Sequence, residues 1–172
     1  MSDAIVSNRV DRIILSIGNA ASWFALVRVV IVCTSVFLRY MMGVSSLGFD
    51  ELQWHIYSAS WMIGFAYSTA LGTHVRNDLL YNRFSRRVQL CIDLASYLLL
   101  LLPFCAIAFY HSVTFAHWAW VQGEGSIDPG GLPARWIIKS ALPLGFALFA
   151  IAALSRVYDL VGQLRRLKGA NA

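Results

Sequence analysis

Residues 49–80 read FDELQWHIYSASWMIGFAYSTALGTHVRNDLL, and this stretch decides the fold. Two carboxylates, Asp50 and Glu51, open it. The run from Leu52 to Thr73 carries no Asp, Glu, Lys or Arg and is broken in tone only by Gln53 and His55. As a helix its roughly 22 residues measure about 33 Å, the thickness of a bilayer's hydrocarbon layer. Gly72-Thr73-His74-Val75-Arg76-Asn77-Asp78 closes it. The pattern predicts a membrane-spanning helix with polar locks at both ends.

Composition agrees. Of 172 residues 58% are hydrophobic and 13% charged, and the mean hydropathy is +0.61. A water-soluble domain of this size carries about twice that charge. Backbone in lipid must be helical or form a closed barrel. Barrel strands alternate apolar and polar residues, and these runs do not, so helices are expected. The net charge of +5 sits beside the apolar runs, which reads as topology signals and lipid-headgroup contacts rather than nucleic-acid binding. Cys33, Cys91 and Cys105 fall in or beside apolar runs without metal-ligand spacing, so they read as small apolar fillers.

Outward from the central stretch, the first span is expected at about 14–38. Arg9 and Arg12 precede it, and its length together with Arg28 argues against a cleavable signal. Val6, Val10, Ile14 and Ile17 give the first residues an interfacial face. Arg28 lies well inside the span, where a cation must face protein, water or an acid. A structural pair with Asp93, Glu51 or a partner chain is the preferred reading over a substrate contact. The loop Met41–Phe49 leads to the second span, 51–73. Its acidic start suits the positive end of the helix dipole, and Arg39 with Glu51 is the expected clamp between the first two helices. Ser60, Gly64, Ser68 and Gly72 recur every four residues, a shallow stripe where another helix backbone can approach.

A short amphipathic connector is expected between the second and third helices. Val75, Leu79, Phe84 and Val88 share one face, and Arg76, Asn82, Arg83, Arg86 and Arg87 fill the rest. His74, Arg76, Asp78, Arg83, Arg86 and Arg87 thus become candidate contacts to the cytoplasmic interface and lipid headgroups. The third span, 88–120, is overlong for a bilayer and has Pro103 as a kink site. His111, His117, Trp118 and Trp120 suit an interfacial belt at its far end. A Gly/Pro loop, Gln122–Pro133, leads to the fourth span, 135–160, with a local break expected at Pro143 and Gly145. Ten Lys and Arg residues then lie on the side of the termini against three on the other, which places both termini in the cytoplasm. The reading is an all-α integral membrane protein, one four-helix transmembrane domain over 1–172.

No nucleophile, acid–base pair or metal cluster emerges, so neither an enzyme nor a cofactor is expected. One alternative is a haem-binding electron-transfer subunit, with a haem between His55 and His111 or His117. A complete secondary transporter fits poorly, because four spans show no internal repeat.

Phe37-Leu38-Arg39-Tyr40, Asp50-Glu51-Leu52, Gly64 and the Gly72–Asp78 element together resemble the small membrane subunit (DctQ type) of tripartite ATP-independent periplasmic (TRAP) transporters. Gly130-Gly131-Leu132-Pro133 through Lys139–Phe146 resembles a subset of that family. The resemblance covers roughly residues 35–150. It implies a non-catalytic scaffold in the bacterial inner membrane. Its partners would be a large elevator-type subunit that holds the substrate and sodium sites, a periplasmic binding protein that delivers organic acids, and lipid. Loops 41–50 and 121–134 would face that binding protein.

Overall fold

The computed structural model describes residues 9–72, 81 and 84–170, with side chains to Lys168. Four long helices account for nearly all of them. These are α1 (Arg9–Met41), α2 (Leu47–Leu71), α3 (Arg86–Val121) and α4 (Trp136–Ala170). α1, α3 and α4 are each long and apolar enough to cross a membrane. α2 lacks their sustained hydropathy, because Gln53, His55 and several Ser, Tyr and Trp residues dilute it. The connector reading falls largely outside the described residues. His74, Arg76, Asp78 and Arg83 lie there.

The helices stand in a row, α1–α2–α4–α3, each packed on the next. α4 therefore separates α2 from α3. The α4 seam is built from Gly145, Phe149, Ala152, Ala153 and Leu160, with 145–149–153 at four-residue steps, 149–152 at three and 153–160 at seven, the spacing that keeps one helix face inward. One core cluster joins all four helices through Ile14, Ala66, Ala70, Cys105, Phe149 and Ala152. A second, Leu90, Tyr97, Ala153 and Leu160, ties α3 to α4. Both clusters lie toward the end that holds Gly72.

One expectation about proline is corrected, at Pro143. Pro103 stands just after a π-helical stretch, Ser96–Leu101, in an otherwise continuous α3. Proline has no N–H to give to the preceding turn, and a wider i→i+5 turn takes up the mismatch. Pro143 and Gly145 do not break α4, which runs through both. Gly145 is instead the closest approach between helices. A Cβ there would stand 2.5 Å from Met62 Cβ and 3.0 Å from Met62 Cγ.

Candidate functional site

The chemistry of this chain lies in its clamps and in the groove they hold open. α1 and α2 run antiparallel, so residues pair in a ladder. Ile14, Ala21, Arg28 and Ser35 recur every seven residues along the α1 seam, and Ile14, Ala21 and Ser35 are buried. A heptad of this kind keeps one edge turned to a neighbouring helix. At the Asp50 end of the ladder the Ser35 hydroxyl donates to Asp50 Oδ1 at 3.0 Å and Arg39 to Asp50 Oδ2 at 2.8 Å. The expected Arg39–Glu51 pair is thus replaced by Arg39–Asp50. Successive helical residues diverge by about 100°, so only one of two adjacent carboxylates can face α1.

Glu51 faces the other way. Its carboxylate accepts from the Ser126 hydroxyl and, at 2.6 Å, from the Leu132 amide, with Arg135 at 3.8 Å. These bonds hold the Glu51 carboxyl below its usual range. The loop from 122 to 135 is thereby tied to the head of α2. A Cβ on Gly131 would overlap the Ser126 side chain and come 2.9 Å from Glu51 Oε2, so only glycine leaves room for the tether. Lys139 completes the clamp. It pairs with Glu124 and lies 4.0 Å above the Phe115 ring.

At the other end Gly72 caps α2 in the left-handed conformation, φ 67°. Arg156 of α4 donates Nε to the Thr69 carbonyl at 3.0 Å and a second nitrogen to the Ala70 carbonyl. A cation there satisfies carbonyls left over at the helix end and meets the negative end of its dipole. Sequence reasoning counted Arg156 only as a topology charge. Its signal was its place inside an apolar segment. Asp11 was missed too. It is fully buried, with both carboxylate oxygens lacking a hydrogen-bond donor among the described residues.

The stripe Ser60, Gly64, Ser68 and Gly72 divides. Gly72 is the cap under Arg156. Ser60, Gly64 and Ser68 line an open groove of about 600 Å³ between α1 and α2. A Cβ on Gly64 would meet nothing within 4 Å, so no helix among the described residues uses that surface. The tight contact on this side is elsewhere: a Cβ on Gly18 would come 2.8 Å from Tyr67 Cγ. Arg28 finds neither Asp93 nor Glu51. Its guanidinium lies 4.2 Å over the Tyr57 ring, and its buried Nε has no hydrogen-bond partner among the described residues.

Arg87 is exposed at the start of α3, while Arg86 donates to Gln163 of α4 at 3.1 Å. His55 stands on α2, and His111 and His117 are exposed on α3. With α4 between those helices, His55 does not face His111 or His117 across a haem-sized gap among the described residues. Among the described residues no group of three His, Cys, Asp or Glu side chains could hold a metal ion.

These features define a helical, multi-span membrane protein whose polar side chains tie helices together. A family model for the DctQ component of tripartite ATP-independent periplasmic transporters matches residues 28–163. The chain belongs to that family. No curated protein matches the chain.

Proposed function

We propose that this chain is the non-catalytic small permease subunit of a sodium-coupled TRAP transporter for organic acids. It crosses the bacterial inner membrane four times, α2 included, with both termini in the cytoplasm. It widens the stationary part of the permease, against which a large elevator-type subunit moves. Its loops 41–50 and 121–134 help dock the periplasmic binding protein.

The observation that carries this reading is the bare flank of the row. Only 6% of the apolar window of α1 is buried within the chain. Trp23, Val30 and Phe37 are 67%, 63% and 59% exposed. In lipid such a face costs little, and it leaves a long apolar wall for another membrane protein. The clamps at both ends keep the row rigid, as a scaffold requires.

The test is co-expression with the large subunit. The two chains are expected to purify together, uptake is expected to fail when this chain is deleted, and the pure chain in liposomes should move no solute. Uptake that survives deletion would overturn the proposal. A fluorescent protein fused to the C-terminus should fold and fluoresce; a silent fusion that is nonetheless fully expressed would place that terminus outside.

A further inference from the structure

The groove between α1 and α2 contains a charge that this chain does not answer. Arg28 sits on the α1 seam, one heptad from Ala21 and one from Ser35. It lines both the 600 Å³ groove and a second depression of about 270 Å³ toward Asp50. Tyr57 lies under the guanidinium, which uses one face of the cation. Nε is buried without an acceptor among the described residues. The nearby acids are spent: Asp50 on Arg39 and Ser35, Glu51 on Ser126 and Leu132.

Depth narrows the occupant. Tyr57 is seven residues past Asp50, so the guanidinium lies about 10 Å below the ion pair that marks the membrane boundary. Phosphates of lipid headgroups belong at the boundary, not below it. A second copy of this chain is no better. None of the nine acidic residues lies within 13–49, 52–77, 94–123 or 129–158. A twofold pairing through this face would also set Arg28 against Arg28.

We infer that the α1–α2 groove receives a transmembrane helix of the large subunit, and that an Asp or Glu side chain on that helix pairs with Arg28 inside the bilayer. The walls suit a helix. Ser22 and Ala25 on α1 and Ser60, Gly64 and Ser68 on α2 are all small, which lets a foreign backbone approach closely. Gly18 to Arg28 spans about 15 Å, enough for nearly three turns. Ion pairing at that depth fixes the partner's register along the groove, since sliding by one turn would bury both charges unpaired. The inference rests on the proposed role as a transporter subunit and adds where the large subunit sits and what chemistry it presents.

The experiment places the photo-crosslinking residue p-benzoylphenylalanine at position 64 and co-expresses the chain with the large subunit. Gly64 is chosen because its site is open. The adduct is expected to map to one transmembrane helix of the large subunit that carries an acid. Arg28→Glu should lower adduct yield and co-purification at least tenfold, whereas Arg28→Lys should stay within about threefold. Changing the mapped acid to Lys should restore the Arg28→Glu pairing. Thermal melting of each isolated variant, expected to match the parent, separates lost pairing from lost folding. Adducts to a second copy, to lipid or to a helix without an acid would overturn the inference, as would association indifferent to Arg28→Glu. A complex that forms without any adduct at position 64 would sink the groove and leave the subunit role standing. Failure to form a complex at all would sink both.

Discussion

A methyl group added at two glycines of this protein should have opposite effects. Gly145 and Gly64 both sit in apolar helices, and their sequence surroundings give no reason to rank them. The structure does. An added Cβ at Gly145 would be 2.5 Å from Met62 Cβ, against an ordinary contact no closer than about 3.4 Å. The shortfall is about 1 Å, and Met62 Cβ is fixed to its backbone, so no rotamer change relieves it. Gly145→Ala must push α4 from α2. That loosens the Phe65–Phe149 stack, with ring centroids 5.9 Å apart, and the fully buried Ala70 and Ala152. Overpacking of this kind costs about 1–3 kcal/mol. For a chain of this length that is a fall of roughly 3–10 °C in melting temperature. Gly64→Ala meets nothing and should melt with the parent or slightly above it. Tryptophan fluorescence during a thermal ramp in one detergent reads both. An unchanged Gly145→Ala, or an equal fall for Gly64→Ala, would refute the account of α2–α4 packing.

Three further outcomes are expected. Arg156→Met keeps the apolar stem but removes two charge-assisted bonds to the end of α2, and should cost about 2–3 kcal/mol in the same melt. A loss confined to a few tenths would show that the cap at Gly72 suffices alone. Ala134 holds φ 60°, a conformation costing an alanine about 1–2 kcal/mol. Ala134→Gly relieves this, less about 0.5–1 kcal/mol of added unfolded-chain entropy, so a small rise in melting temperature is expected and a fall would count against it. Glu51 supplies the pH dependence. Its folded value lies below the ordinary 4.5, so its contribution is complete above that value and is lost as pH falls through the lowered one. Proteolysis of the loop from 122 to 135 should therefore stay slow down to about pH 4.5 and accelerate below it. Glu51→Gln should be cleaved quickly at neutral pH; equal rates for parent and variant would remove the tether from the account.

Helix number and order were legible because lipid makes them so. Long uncharged runs admit only helices, and charges must gather where those runs end. Which charge meets which was not legible. Asp50 and Glu51 are adjacent in sequence, and only the direction of the α2 face sends one to α1 and the other to a loop more than seventy residues away. Arg28 shows the opposite case. Its heptad relation to Ile14, Ala21 and Ser35 was present in the sequence and would have turned it toward α2, though not toward an aromatic ring in place of an acid. The small-residue stripe was read as a seam. The seam on this side turned out to be Gly18 against Tyr67, because the bulk that fills a glycine's space comes from the neighbouring helix and leaves no trace in the glycine's own period.

The uneven packing of the row has a mechanical consequence. Both core clusters gather toward the Gly72 end, where Arg156 fastens α4 to α2. Toward the Asp50 end, α1 is held through Ser35 and Arg39 to a single carboxylate. Between these points the groove stays open along the α1–α2 face. A scaffold fixed firmly at one end and clasped at the other can seat a foreign helix without rearranging its own core. On the proposed scaffold role, the packed end resists the sideways load of a moving neighbour, while the open length offers that neighbour a surface. Loosening Asp50 should therefore affect association before it affects folding, and loosening Arg156 should do the reverse.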